Sequence, residues 1–312
     1  MTTHKTDMED DYYRVSLPQS EWLHIDRWLG ENVSLTSIVL TELNKIKKTY
    51  EKGRRKTIQT GIASIDAMIG GLCPGELLYI GSTEEKYNFA VGLNILYAMG
   101  IKGNTKVLVF NSGRGPYSYA RGLISLCAST EESRLQNAQV LSVEELEHVE
   151  ESLGTLQLSN ISVVSTPNIC VEDICDEIKK LQEEDHPDFV LIDNLSFLTT
   201  REQCANRREE SRRIAEKLWS FAKDIRIPIV LTGPLSKRRN MEDYRPTAAD
   251  LPTEGMLKFL DKVVTIHGIG EYKGTLCITA IKNPDGTYGY RKIEYDPDCN
   301  KLAEILIQNH VD

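Results

Sequence analysis

The chain has 312 residues, 40% of them apolar and 27% charged, enough to bury one large core or two smaller ones without disulfide or metal staples. This composition excludes global disorder, a collagen-like repeat and a small disulfide scaffold. With 37 Lys and Arg against 46 Asp and Glu, the formal net charge is -9, which excludes a strongly basic, DNA-coating protein but leaves local basic patches open.

The first 56 residues differ from the rest. Residues 1–12 are polar and acidic, with no apolar stretch to serve as a signal peptide. Residues 22–29 and 35–50 carry helical periodicity; in the second, Ile38, Leu43 and Ile46 mix with Lys and Glu. Lys52-Gly53-Arg54-Arg55-Lys56 then reads as a linker, dividing an N-terminal arm, residues 1–56, from a core domain, residues 57–312. From Thr57 onward the apolar runs predict strands over 76–81, 106–111, 161–165, 188–193 and 227–232. Helices are predicted between them, over 88–99, 116–128, 171–183 and 205–225. That alternation points to an α/β fold with a mainly parallel sheet covered on both faces. Further strands over 262–267, 274–281, 288–295 and 301–307, with Asn283-Pro284-Asp285-Gly286 as a turn, form an antiparallel extension of the same sheet.

No apolar run approaches bilayer-spanning length, so no membrane role is expected. The seven cysteines include no C-x-x-C, and the closest pair is Cys170 and Cys175. They read as reduced thiols of a cytoplasmic protein, with no metal site.

Two pieces have the layout of nucleotide-binding machinery. In the first, Thr60-Gly61-Ile62-Ala63-Ser64-Ile65-Asp66 and Gly70-Gly71-Leu72-Cys73-Pro74-Gly75-Glu76-Leu77 lead into a strand, then Gly81-Ser82-Thr83-Glu84-Glu85-Lys86-Tyr87, then a helix. Strand, loop, Lys and helix is the order of a phosphate-binding loop. In the second, Phe189-Val190-Leu191-Ile192-Asp193 is a buried strand ending in Asp, the layout that holds Mg²⁺ in such enzymes. Four more pieces follow in order: Ser165-Thr166-Pro167-Asn168-Ile169 before the Asp strand; Asn206-Arg207-Arg208-Glu209-Glu210, then Ile227-Pro228-Ile229-Val230, after it; Arg245-Pro246 with Asp250-Leu251 and Gly255; and Lys282-Asn283 with Gly286. Together, over residues 34–304, they resemble the motor domain of DnaB-type replicative helicases. The resemblance implies a RecA-like, three-layer P-loop NTPase fold. It leaves no counterpart of that family's separate N-terminal helical domain; residues 35–50 resemble only its linker helix.

Position by position, the chemistry that the resemblance implies is missing. In G-x-x-x-x-G-K-[ST] anchored on Lys86, Glu85 stands at the second Gly and Tyr87 at the Ser/Thr. A Glu there sets a side chain and a negative charge against phosphate, and a Tyr oxygen projects too far from the backbone to ligate Mg²⁺. Gly113 occupies the family's catalytic Glu position, Pro234 the γ-phosphate sensor, Pro284 the arginine finger and Pro252 the Arg of the D-L-R stretch. Lys86 reads either as a phosphate contact or as a solvated lysine at a helix start; Asp193 as a metal ligand or a turn cap; Lys282 survives as a fragment. The expectation is a non-hydrolysing scaffold or regulator of DNA replication or recombination, with no catalytic residue and no cofactor; Lys86 and Asp193 would hold nucleotide if any binds.

By the same resemblance the DNA-contacting regions carry Arg201 and Arg207, then Lys237-Arg238-Arg239, then Arg245, giving Arg207, Lys237, Arg238, Arg239 and Arg245 as candidate contacts to single-stranded DNA. The linker helix implies self-association or docking on a helicase-type protein, or equally a fold-back on its own domain. The tyrosines of Pro116-Tyr117-Ser118-Tyr119 are expected to pack. Alternatives are an active ATP-dependent DNA helicase using ATP and Mg²⁺, a nucleotide sensor without turnover, and a pure protein-interaction module.

Overall fold

The computed structural model describes residues 34–51, 57–184, 186–236, 245–269, 274–284 and 289–305. The helix expected over 22–29 and the basic run Lys237–Arg239 lie outside the described residues. The chain divides into two units between Lys56 and Thr57.

In the first unit, α1 (Leu35–Glu51) leaves Leu35, Ile38, Val39, Leu43 and Ile46 exposed. The second unit starts with α2 (Ala63–Ile69), β1 (Leu77–Ser82), α3 (Glu85–Leu96, prolonged by a π-helical turn Tyr97–Lys102), β2 (Val107–Asn111) and α4 (Pro116–Ala128). It continues through α5 (Glu132–Gln136), α6 (Val143–Gln157), β3 (Ile161–Ser165), α7 (Val171–Glu184), β4 (Phe189–Asp193), α8 (Arg207–Ile225) and β5 (Ile229–Pro234). The extension is β6 (Lys262–Gly268), β7 (Thr275–Lys282), β8 (Gly289–Asp296) and β9 (Lys301–Glu304). No described helix is long and apolar enough to cross a membrane.

All nine strands form one sheet in the order β3-β2-β4-β5-β1-β6-β7-β8-β9. The first six in that order pair parallel, and β7 to β9 pair antiparallel. This is the predicted architecture. β1, β2 and β4 are buried at every position, as strands covered on both faces must be. Alternation divides them between two cores. Leu78, Ile80, Val109 and Leu191 face α2, α3 and α4 through Ile65, Ile69, Leu93 and Leu123. Leu77, Tyr79, Leu108 and Phe110 face α7 and α8 through Ile174, Ile178, Ile214 and Leu218. In α7, Val171, Ile174, Cys175 and Ile178 recur at helical spacing, which makes its inner stripe readable from sequence.

The entry signature Thr60–Asp66 is an anchor for the domain's first helix. Asp66 accepts from the Thr60 N–H at 2.7 Å, the Thr60 hydroxyl at 2.9 Å and the Gly61 N–H at 2.9 Å. Gly61 has φ +82°, and a Cβ there would stand 2.1 Å from Ala98 Cβ, so only glycine fits. The start of α2 is capped from the far end of the chain. Glu304 of β9 accepts from the Ser64 N–H at 2.7 Å and also from its hydroxyl.

The Glu of the Gly-Glu-Leu signature is also structural. Glu76 forms a buried ion pair with Lys262 at 2.9 Å and accepts from the Cys73 N–H at 2.9 Å; Lys262 also donates to Gly71 O at 2.7 Å.

The connection after β4 is tied down by Glu172 of α7. Its carboxylate accepts from Lys217 at 2.7 Å, Thr200 at 2.8 Å and the Arg201 N–H at 3.2 Å. Burial alone would raise the Glu172 pKa, but these donors, Lys217 first, bring it down to about 2. A carboxylate depressed in the folded state stabilises above its unfolded pKa and loses that contribution as pH falls through the folded value. Acid titration should therefore show a Glu172-dependent loss of stability between about pH 4.5 and about pH 2 that is missing in Glu172→Gln. Identical acid profiles for the two proteins would contradict this.

Candidate functional site

In a parallel sheet the ligand-binding end is the one outside the carboxyl ends of the strands. Here that end carries the β1–α3 connection, Asn111 to Arg114 after β2, Asp193 after β4 and Thr232 to Leu235 in and after β5.

The β1–α3 connection is two residues, Thr83 and Glu84. Phosphate-cradling loops need several residues whose N–H groups turn inward around the anion. The space is used for packing instead. A Cβ on Gly81 would stand 2.6 Å from Leu235 Cδ2, and Leu235 donates its N–H to Ser82 O at 2.7 Å. Tyr87, at the hydroxyl position of the motif, is buried and stacks edge-on against Tyr295, with ring centroids 5.6 Å apart. Lys86 points outward: its ammonium pairs with Glu84 at 3.1 Å, which raises its pKa, and lies 5.1 Å from the Tyr87 ring centroid. Glu85 pairs with Arg114 of the β2–α4 turn at 3.0 Å. Lys86 is thus a partly exposed lysine paired with Glu84 at the start of α3.

Asp193 is buried at 3% exposure, and both carboxylate oxygens are engaged. Oδ2 accepts from the Tyr119 hydroxyl at 2.7 Å and Oδ1 from the Thr232 hydroxyl at 2.6 Å. Burial, then the adjacent Asp193 charge, hold the Tyr119 phenol well above its usual pKa, so it stays a donor. Sequence alone gives both tyrosines of this helix packing roles. Tyr119 does pack, edge-on to Phe89 with centroids 5.3 Å apart, but it also supplies this hydrogen bond; Tyr117 is exposed. The available signal is a stripe: Tyr119, Leu123 and Leu126 fall on one face of α4.

Gly113, at the position of the catalytic Glu, lies under an aromatic ring. A Cβ there would meet Phe197 Cε2 at 2.2 Å. The short turn Leu195–Phe197 that carries this ring is fixed by Arg207, which donates to Leu198 O at 2.7 Å and also to Leu195 O, and pairs with Glu210 at 2.6 Å. Arg207 is thus directed at its own backbone. Arg201 pairs with Asp173. Arg245 is exposed, with its guanidinium 4.2 Å from the Tyr290 ring centroid. Lys282 donates to Leu257 O at 2.9 Å and to Leu260 O, and burial lowers its pKa. The structure therefore brings Lys86, Asp193 and the turn held by Arg207 to the same end of the sheet, while Lys282 lies beside Val263 at the start of β6, the opposite end, and Arg245 packs on Tyr290 of β8.

The profile of the DnaB-like helicase C-terminal domain matches residues 57–304. The replicative DNA helicase DnaC of Bacillus subtilis (strain 168) is 22% identical over 282 residues, covering 87% of this chain and 62% of the relative. The replicative DNA helicase DnaB of Geobacillus stearothermophilus is 21% identical over 286 residues, covering 88% and 63%. The chain thus spans less than two thirds of these curated relatives. Among solved structures, a DnaB-like replicative helicase described with its interactions with primase superposes with a TM-score of 0.77 at 17% identity, covering 92% of this chain and 71% of that one. A second solved structure, an ATPase domain on its own, superposes with a TM-score of 0.74 at 17% identity, covering 88% of this chain and 100% of that one. Both share the fold, a RecA-like α/β domain. With the profile running from Thr57 through β9, across the same residues that build the sheet and its helices, this chain belongs to the DnaB-like helicase C-terminal domain family.

Proposed function

We propose that this chain is a non-hydrolysing member of the replicative-helicase family, a cytoplasmic scaffold or regulator in DNA replication or recombination. The observation that carries the reading is the state of Asp193: it is buried and each of its two oxygens accepts a hydroxyl hydrogen bond, from Tyr119 and from Thr232, so a metal would have to share or displace these donors. ATP and Mg²⁺ do not fit the residues present. The β1–α3 connection is too short to wrap a phosphate, Glu84 and Glu85 flank it with negative charge, and a side chain at Gly113 would run into the Phe197 ring. All seven cysteines are free thiols, in keeping with a reducing compartment.

In this reading residues 1–56 are an arm that docks on a helicase-type protein or on a second copy through α1, and residues 57–312 are the scaffold. Single-stranded DNA is engaged by Lys237, Arg238, Arg239 and Arg245 through phosphates, a contact that needs cations and no base edges; Arg207, also expected there, is instead committed to the carbonyls of Leu195 and Leu198.

The test is titration of the purified protein with ATP and a non-hydrolysable analogue, with and without Mg²⁺. No binding up to millimolar nucleotide is expected, and Lys86→Ala should leave the result unchanged. Mg²⁺-dependent binding with turnover that disappears in Lys86→Ala and Asp193→Ala would instead establish an ATP-driven helicase; binding without turnover would establish a sensor.

A further inference from the structure

In P-loop proteins generally, the phosphates and metal join three separate segments: the loop before the helix, the turn after the second strand, and the Asp strand. In this chain one segment makes those joins with its own side chains. The turn after β2 is stiff: Asn111 accepts from the Arg114 N–H at 2.9 Å and donates to Arg114 O, which also accepts from Ser165 at 3.3 Å. From that turn Arg114 reaches Glu85 at the start of α3, at 3.0 Å, with its guanidinium 4.3 Å from the Phe89 ring centroid. A little further on, Tyr119 reaches Asp193 at 2.7 Å, and its ring meets the same Phe89 at 5.3 Å. Phe89 is thus contacted by both residues of the segment.

We propose that the β2–α4 segment is a built-in plug of the nucleotide end of the sheet: Arg114 clasps α3 through Glu85, Tyr119 clasps β4 through Asp193, and the closed arrangement that bound nucleotide would create is permanent. This inference rests on the non-hydrolysing reading above. The Glu85–Arg114 pair is partly exposed, so its Coulomb contribution is modest; the aromatic seat and the buried phenol–carboxylate bond are what make the plug more than a surface pair.

Amide hydrogen exchange of the full chain tests it. Arg114→Gln and Glu85→Gln should each speed exchange by about threefold in both residues 83–88 and residues 111–118, and the double variant should be no faster than either single one. Tyr119→Phe should speed exchange around Asp193 and the first turn of α4 together. Exchange that changes only in the mutated segment, or a double variant whose effects add, overturns the plug. A parallel arm adds millimolar ATP and Mg²⁺ to the unaltered protein. Protection there would show that nucleotide enters this end of the sheet and would overturn the plug, whereas the non-hydrolysing reading is judged separately, by phosphate release in the same arm.

Discussion

A glutamate placed at Gly113 is expected to destabilise the domain by about 1 kcal/mol, the cost of displacing the half-buried Phe197 ring, and to leave ATP turnover at background. The position is the one that carries the catalytic carboxylate in the helicase pattern, so this is the substitution a motif comparison would choose to restore activity. The cost arises because a Cβ at Gly113 would stand 2.2 Å from Phe197, and the turn beneath that ring is held by Arg207. Chemical denaturation of Gly113→Glu against the parent protein measures the loss. A companion variant, Gly113→Glu with Phe197→Ala, should recover part of the stability and still show no turnover, because Asp193 remains engaged by Tyr119 and Thr232. Turnover in either variant would mean that the missing carboxylate was the only defect, and the scaffold reading would fall.

The larger stability effect is expected at Lys262. Replacing it with methionine keeps the volume of the stem but strands Glu76, a carboxylate at 12% side-chain exposure, without its cation. Breaking one partner of a buried ion pair costs about 3–5 kcal/mol, since the remaining charge stays desolvated. Glu76 keeps one donor, the Cys73 N–H, which is too little to replace an ammonium. Gly71 O also loses its partner at 2.7 Å. Paired substitution, Lys262→Met with Glu76→Gln, should cost clearly less than Lys262→Met alone. If Lys262→Met unfolds at nearly the parental denaturant midpoint, the pair is not holding the loop between α2 and β1.

The sheet was legible because its central strands are short apolar runs bounded by turns, the pattern that burial on both faces imposes. Eight predicted strands match the structure to within about two residues, the ninth, predicted over 301–307, is β9 as far as Glu304 with residues 306 and 307 outside the described ones, and α4 matches over Pro116–Ala128. Other elements departed from the prediction. α3 begins at Glu85, three residues before the predicted start at 88, because the phosphate-loop layout suggested a longer connection than the two residues present. α6 went unread although Leu146, Val149, Leu153 and Leu156 recur at helical spacing; in the structure only Ser152 is buried along it, and Val143, Leu146 and Leu153 are exposed. Its start was also written in Ser142 and Glu145, a reciprocal capping box.

At the candidate site the residues that stand at each position of the expected motifs were legible, but not what surrounds them. The partners of Asp193 come from α4 and β5, 74 and 39 residues away, and no local pattern encodes such a meeting. Gly113 looked like a lost carboxylate; only Phe197 above it explains why glycine is there. Arg207 was read as a candidate DNA contact on its helix, and the carbonyls it holds were invisible until the turn was folded.

The cap that Glu304 places on Ser64 joins residues 240 apart. During synthesis on a ribosome the first helix of the core therefore emerges long before the carboxylate that completes its N-terminus. Sheet pairing tells the same story, since β1 lies between β5 and β6, both made much later. Such long-range closure slows folding and leaves apolar strands waiting for neighbours. A nascent chain halted anywhere short of β9 would thus be a client for chaperones rather than a smaller working domain.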